Sequence, residues 1–368
     1  MPRDDIGPFV DIDWSVGLRG SYTGDSITGP TYEGIIAPEF SLTRPNANGT
    51  TSLTTGAEVS IDQDKRVRID DLHTNAAADF QLDEFTKLNG SLDLSLTQAS
   101  PTDSSLPANT AVAPREFTGT ATGSAARKLG KFALTGTLRG ERFLEGPTTL
   151  DDSSTIDNSD QSYWLGSATL RDAYEFTPHI ALFVEGSAAY QKFDAPSPTL
   201  LTFEDGRTLT LRGGASFTQE NTLTAEASLG RAWIDYRDPS LTDRQAWVYN
   251  GSLSFTPSET LTLGTTLDSS IGPSTDTPGD TDVTYTLSGD AKYVVNPWLT
   301  LRGSASYDRT VTLGNGDIDS GYSVGAGIDV AESKHIVWTA DYSFSHRDPA
   351  VPPATNTHTV TIGVTIKR

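Results

Sequence analysis

Apolar residues fall at every second position in stretch after stretch of this chain, and no other feature restricts its fold as much. In "FVDIDWSVGLRGSYTG", residues 9–24, Val10, Ile12, Trp14, Val16, Leu18 and Tyr22 alternate with Asp11, Asp13, Ser15, Arg19, Ser21 and Thr23. A period of two belongs to an extended strand with one apolar face and one wet face. The apolar face can meet a protein core, in a soluble sandwich or solenoid. It can also meet lipid, in which case the wet face lines the inside of a barrel.

Composition favours the second case. Of 368 residues only 36% are hydrophobic and the mean hydropathy is -0.34, poor material for a dense core of that size. No run approaches the roughly 18 to 20 apolar residues of a transmembrane helix, so a helical membrane protein is excluded. A transmembrane β-barrel is not, because only alternate residues meet lipid. The absence of cysteine fits the bacterial outer membrane. A net charge of -21 excludes a nucleic-acid role, since phosphate backbones call for a basic surface. The opening "MPRDDIGPF" lacks the basic start and apolar core of an export signal, so Met1 is read as heading a mature sequence. Residues 1–8 are expected to form a short periplasmic segment, with no plug ahead of the first strand, and residues 9–368 a single barrel domain.

The alternation recurs to the end of the chain. "IALFVEGSAAY" sets Ile180, Leu182, Val184, Ala188 and Tyr190 on one face, "VTYTLSGDAKY" sets Val283, Tyr285, Leu287, Ala291 and Tyr293, and "HTVTIGVTIKR" sets Val360, Ile362, Val364 and Ile366. The expectation is an all-β, antiparallel up-and-down transmembrane β-barrel of about 18 strands, with 16 as the fallback; the count is least secure at "FTGTATGSA" and "LTLGTTLD". The connections alternate between short and long. Turns such as "RPNANG", "RKLGK" and "VVNPW" are rich in Gly, Asn and Pro. Between them lie long polar connections, the largest being "QASPTDSSLPANTAVAPR" and "LEGPTTLDDSSTIDNSDQ", which show no strand pattern. Short periplasmic turns and longer extracellular loops sort in this way in outer-membrane barrels. Aromatics add an independent sign. Phe80, Phe132, Phe176, Phe217, Phe255, Tyr293 and Trp298 lie beside short turns. Tyr22, Tyr190, Trp233, Trp247, Tyr249, Tyr285, Tyr307, Tyr322, Tyr342 and Phe344 lie near the long-loop ends. Two such belts mark two lipid interfaces.

The segments "GIIAPEFSLTRPNANGTTSLTTGAEVS", "FTPHIALFVEGSAAYQKFDAP" and "YNGSLSFTPSETLTLGTTLDSS" resemble the outer-membrane β-barrel porin family of alphaproteobacteria, in pattern and over most of the chain. The resemblance implies a porin-like protein of the bacterial outer membrane. One departure is Arg368, which occupies an outward terminal position where such barrels end on an aromatic residue.

With the apolar parity facing lipid, the other parity supplies the pore-lining candidates. These are Asp11, Asp13, Arg19, Glu39, Glu58, Asp79, Asp93, Arg139, Glu141, Glu185, Arg212, Glu226, Asp290, Arg302, Asp329 and Asp341; Asp62, Lys87, Lys131, Arg171 and Lys292 share their parity. An acidic excess on such a wall acts as an electrostatic filter favouring cations or neutral polar solutes. The same charges also serve as cross-strand pairs that hold the wall together. A few charges fall on the lipid parity, notably Arg142, Asp172 and Arg231. Arg142 lies near a strand end and snorkels, Asp172 approaches a turn, and Arg231 is more central and without an account.

No catalytic, cofactor-binding or metal-binding residue is assigned. His73, His346 and His358, with Ser345, Asp71 and Asp348 nearby, give no defined nucleophile and base geometry. The Asp-rich loops "LDDSSTIDNSDQ" and "STDTPGDTD" match no fixed calcium-ligand spacing. The resulting expectation is a non-enzymatic channel without cofactor, for passive diffusion of small polar solutes or ions and weakly cation-leaning. Its expected partners are outer-membrane lipid, lipopolysaccharide and the barrel assembly machinery. An export or assembly barrel, such as a surface-polysaccharide conduit, and a structural barrel without an open pore are the alternatives the sequence leaves standing.

Overall fold

The computed structural model of the chain describes residues 10–101, 106–107, 109–220, 222–274, 277–351 and 353–368. The segment 1–8 lies outside them. Among the described residues there are twenty-one strands in chain order: β1 (Asp11–Asp25), β2 (Gly29–Asn46), β3 (Gly49–Asp62), β4 (Val67–Asp83), β5 (Thr86–Gln98), β6 (Thr110–Val112), β7 (Arg115–Leu129), β8 (Phe132–Glu145), β9 (Thr148–Leu150) and β10 (Thr155–Ile156). They continue with β11 (Tyr163–Glu175), β12 (Ile180–Phe193), β13 (Gly206–Gln219), β14 (Leu223–Tyr236), β15 (Arg244–Ser258), β16 (Leu261–Pro273), β17 (Thr281–Asn296), β18 (Leu299–Thr312), β19 (Ile318–Ala331), β20 (Ile336–Asp348) and β21 (Thr355–Lys367).

Eighteen of these form one antiparallel sheet in which each strand pairs with its sequence neighbours. The ring closes where β1 meets β21, from Ser15 opposite Lys367 to Asp25 opposite Thr357. Both stretches where the count was least secure are strands, β7 and β16. Closure leaves no sheet edge, which is what a backbone crossing lipid requires. Along each strand the apolar parity points outward. Trp14, Leu18, Leu138, Leu170, Leu182, Val184 and Ile362 are all exposed on the outer surface. A continuous apolar band of this kind is a lipid-facing surface and not a protein core.

The short turns follow from local chemistry. At the β2–β3 turn a Cβ on Gly49 would lie 1.8 Å from the Asp79 carbonyl oxygen, so only glycine fits there. Between β7 and β8, Gly130 takes φ +65°, which glycine adopts without strain. Asp83 accepts the Phe85 N–H at 2.8 Å and Asn296 accepts the Trp298 N–H at 3.0 Å, closing two more turns with their own side chains. At the opposite rim residues 26–28 and 63–66 are equally brief, and the length contrast begins with the connection after β5. The two longest connections, expected to be free of strand, in fact contribute β6, β9 and β10 to a small three-stranded sheet of their own.

One part of the wall is not continuous. β15 and β16 pair from Ser258 opposite Leu261 up to Gly251 opposite Leu267, and no further. β16 and β17 stay paired to Pro273 opposite Thr281. Above the break, side chains replace the ladder: the Ser269 hydroxyl accepts the Tyr249 N–H at 2.6 Å and donates to the Tyr249 carbonyl at 2.9 Å, and the Tyr285 hydroxyl donates to the Trp247 carbonyl at 3.2 Å. The tip of the β16–β17 hairpin turns inward behind β14 and β15. Thr281 and Val283 belong to the parity that faces lipid lower down β17, yet both are buried, Val283 to 1% exposure. Their neighbours are inner-face residues. Thr281 meets the Tyr236 hydroxyl of β14 at 2.8 Å, and Ala232, Ile234, Ala246 and Val248 on the inner face of β14 and β15 are buried beside them. The barrel therefore holds a small apolar core inside its wall, under the long-loop rim.

Candidate pore lumen

Register places all sixteen charged candidates on the inner parity. Asp11, Asp13 and Arg19 lie on β1, Glu39 on β2, Glu58 on β3, Asp79 on β4, Asp93 on β5, and Arg139 and Glu141 on β8. Glu185 lies on β12, Arg212 on β13, Glu226 on β14, Asp290 on β17, Arg302 on β18, Asp329 on β19 and Asp341 on β20. Strand alternation carries them there, since each neighbours residues that point to lipid.

The structure joins ten of the sixteen into ion pairs. On one side of the lumen a ladder runs across six strands. Arg171 of β11 makes a forked contact with Glu226 at 2.8 and 2.7 Å and lies 3.8 Å from Glu185. Glu185 also accepts from Arg212 at 2.8 Å, Arg212 donates to Asn250, and Asn250 donates to Asp268 at 3.1 Å. The Arg171 guanidinium sits 3.6 Å from the centre of the Phe183 ring, which is pressed onto the inner wall. Glycine at 214 permits this, because a Cβ there would come 2.6 Å from the Phe183 ring and 2.3 Å from the Ala227 carbonyl. Further pairs join Arg139 to Glu141, whose other oxygen accepts from the Tyr163 hydroxyl at 3.0 Å, and Arg19 to Glu58. Arg302 bridges Asp329 at 2.8 Å and Asp341 at 2.7 Å.

Six candidates have no ion pair among the described residues: Asp11, Asp13, Glu39, Asp79, Asp93 and Asp290. All are acidic. Asp11, Asp13, Glu39 and Asp79 lie towards the short-turn rim; Asp13 and Glu39 share a recess there with Lys334 and Lys367. Next to the arginine ladder in the ring, β17 to β21 present many small and hydroxyl residues to the lumen. Asp290, Lys292, Arg302, Asp341, Ser304 and Thr361 line a recess of about 440 Å³ there. One wall thus carries compensated charge, while β1 to β5, across the ring from it, carry five of the six open carboxylates.

Sequence reasoning missed the parts that narrow the lumen at the long-loop rim. These are the tucked β16–β17 tip and the loop between β12 and β13, residues 194–205. Loop and tip are joined by a contact between the Gly279 N–H and the Glu204 carboxylate, and by Leu200, whose Cδ1 lies 3.0 Å from where a Gly279 Cβ would stand. Burial pushes the Glu204 carboxyl above its ordinary range; the Gly279 N–H opposes this and the charge of Asp160 adds to it. The available signal was apolar character on both parities at once, in "AWI" (232–234) and "AWVY" (246–249), which marks a strand covered on both faces.

The remaining features separate in space. Ser345 points inward, paired with Ser323, while His346 and His358 stand on the lipid parity among Tyr322, Phe344 and Tyr342, so these groups do not converge. His73 meets Asp71 at 2.5 Å on the inner face. In the Asp-rich loop, Asp152 accepts the Ser154 N–H at 2.9 Å and Asp157 the Ser159 N–H at 3.0 Å, so these carboxylates cap turns. No cluster of three metal-ligating side chains occurs among the described residues. On the lipid face Arg142 binds Asp194 and covers Trp164, Asp172 is exposed one position above Tyr174 on the same face, and Arg231 lies 5.0 Å from the Trp247 ring.

Among solved structures the chain is similar to OccK3 (OpdO) of Pseudomonas aeruginosa, with 11% identity, 97% of this chain and 96% of that chain covered, and a TM-score of 0.47. It is similar to OpdK of Pseudomonas aeruginosa, solved with vanillate, at 10% identity, 97% and 99% coverage and a TM-score of 0.46. It is also similar to a loop L8 deletion mutant of OmpT, an outer membrane protein of Vibrio cholerae, at 12% identity, 98% and 99% coverage and a TM-score of 0.36. No curated protein matches the chain. The family described as "Putative beta-barrel porin 2" matches residues 25–368, nearly the whole of a chain already seen to be a closed barrel with an apolar exterior and a charged lumen, and this protein belongs to that family of outer-membrane porins.

Proposed function

We propose that this protein is a passive diffusion channel for small polar solutes that leans towards cations. The observation that carries the reading is the balance of uncompensated lumen charge: all six candidates without an ion pair are carboxylates. They outnumber the three unpaired lysines named on that parity, Lys87, Lys131 and Lys292. Fixed negative charge in a channel with low-dielectric walls concentrates cations. The arginine ladder adds little to the average sign because Glu185, Glu226 and Asp268 offset Arg171 and Arg212. Its contribution is local, a row of fixed donors past which a polar solute slides. The tucked hairpin tip and loop 194–205 narrow the long-loop end and set the size limit.

Reversal potentials in planar bilayers under a salt gradient test this. Cation preference is expected in dilute salt, fading as the Debye length falls from about 10 Å at 0.1 M to about 3 Å at 1 M. Replacing Asp11, Asp13, Glu39 and Asp79 together by Asn or Gln lowers the preference without unfolding the barrel, because these side chains face water. Anion preference of the unaltered protein in dilute salt overturns the reading.

A further inference from the structure

The outer surface carries a second feature that channel function does not use. An open groove of about 1050 Å³ runs obliquely across β7, β8, β11, β12 and β13 on the lipid parity. Its floor is Gly123, Gly136, Ala168 and Gly186, and its sides are Leu138, Leu170 and Leu211. Nothing in the protein requires these glycines. A Cβ added to Gly123, Gly136 or Gly186 would meet no atom within 4 Å, and none of the three has positive φ. Glycine also weakens a strand interior, so a row of them in open space keeps room for something outside the chain.

The end of the groove at β13 and β14 is basic. Leu211 stands directly opposite Arg231, and Trp233, two residues on along the same face, lines the groove. Arg207 and Lys192 follow towards the long-loop rim on the same outward parity, with Trp164 opposite Lys192 and Tyr190 opposite Arg207. Arg207 is compensated by Asp235 at 3.0 Å. Arg231 and Lys192 have no ion pair among the described residues; Lys192 stands near Asp194, which Arg142 already binds, and Arg231 lies between Leu211 and the Trp247 ring with no carboxylate paired to it. A cation facing lipid without a counter-charge is costly, and in a chain of net charge -21 its position on the outer face is conspicuous. The aromatic residues around it belong to the interface belt, the depth at which lipid headgroups lie.

We propose that this face is a binding site for a multiply phosphorylated, multiply acylated lipid, with acyl chains along the glycine-floored groove, one phosphate on Arg231 at its end and a second on Lys192, six positions nearer the long-loop rim. Groove and cations are continuous and complementary to the two ends of one amphiphile. A point charge and a guanidinium at the interface each match a phosphate.

The test uses the purified full chain in detergent with bis-phosphorylated lipid A as probe, its dephosphorylated form as comparison, and native mass spectrometry to count bound lipid. The unaltered protein is expected to hold the phosphorylated form at least tenfold more tightly. R231Q with K192Q abolishes that discrimination while residual binding of both forms persists; G186L, which fills the groove and leaves the cations, weakens both forms. Circular dichroism and heat-shifted gel migration establish that each variant remains a barrel. Equal retention by the unaltered protein and both variants overturns the proposal. So does self-association through this face, seen as cross-linking of L170C between copies that added lipid A does not displace.

Discussion

Tyr236 and Thr281 share a hydrogen bond of 2.8 Å although their strands, β14 and β17, are separated in the ring by two others. The contact is possible only because the hairpin tip has left the wall, and it ties the tip to the inner face. Y236F leaves the buried Thr281 hydroxyl without this partner and costs about 1 to 2 kcal/mol of tip docking. The expected readout is a noisier open channel with more frequent transitions in single-channel records. V283D, which places a charge in the same apolar contact, is expected to release the tip outright and raise the mean conductance.

The arginine ladder predicts a change of sign. In E185Q, Arg171 keeps Glu226 while Arg212 loses its carboxylate and retains only Asn250. Local positive charge is then exposed on that wall, and the reversal potential moves towards anions. The loss of stability is small, about 1 kcal/mol, because both arginines are partly solvated. Urea titration of the refolded barrel measures the second quantity and bilayer recording the first.

Loop 194–205 predicts a pH response. Burial raises the Glu204 carboxyl above its unfolded value, so the docked loop keeps a proton that the released loop gives up. Docking is strongest below the unfolded pKa of about 4.3 and weakens as pH rises through the raised folded value. Conductance is expected to increase with pH over that window. E204Q retains an acceptor for the Gly279 N–H and flattens the response; an unchanged profile in E204Q would assign the pH dependence elsewhere.

Sidedness is open to a clean test because the chain has no cysteine. D151C, in the exposed connection between β9 and β10, is expected to react with an impermeant maleimide on intact cells. Reaction only after the outer membrane is broken places the long loops on the periplasmic side.

The fold was legible wherever one parity met lipid and the other met water, because alternation then records the environment directly. Trp14, Leu138 and Val184 declared their face in this way. The lumen candidates were legible by the same rule, but their pairing was not, since Arg171 reaches Glu226 across two intervening strands and no sequence spacing encodes that reach. The tucked tip was hidden for a different reason. Val283 alternates like any lipid-facing residue and differs only in what covers it, so local pattern could not separate it from Leu287 further down the same strand. The two strands covering it, with apolar residues on both faces at 232–234 and 246–249, held the information.

The break between β15 and β16 makes one length of the wall unlike the rest. Elsewhere, parting two strands means losing a ladder of backbone bonds together; above Gly251 and Leu267 side-chain contacts do the holding, those of the Ser269 and Tyr285 hydroxyls and of the Asn250 amide with Asp268. The amide hydrogens of Gln245 and Trp247, which share the β16-facing side of Tyr249 while their neighbours stay bonded to β14, are therefore expected to exchange with solvent deuterium well before those of the neighbouring strands. When the barrel is heated or pulled, it opens first like a zip whose upper teeth were never joined, and the tear starts at Trp247 and runs downward.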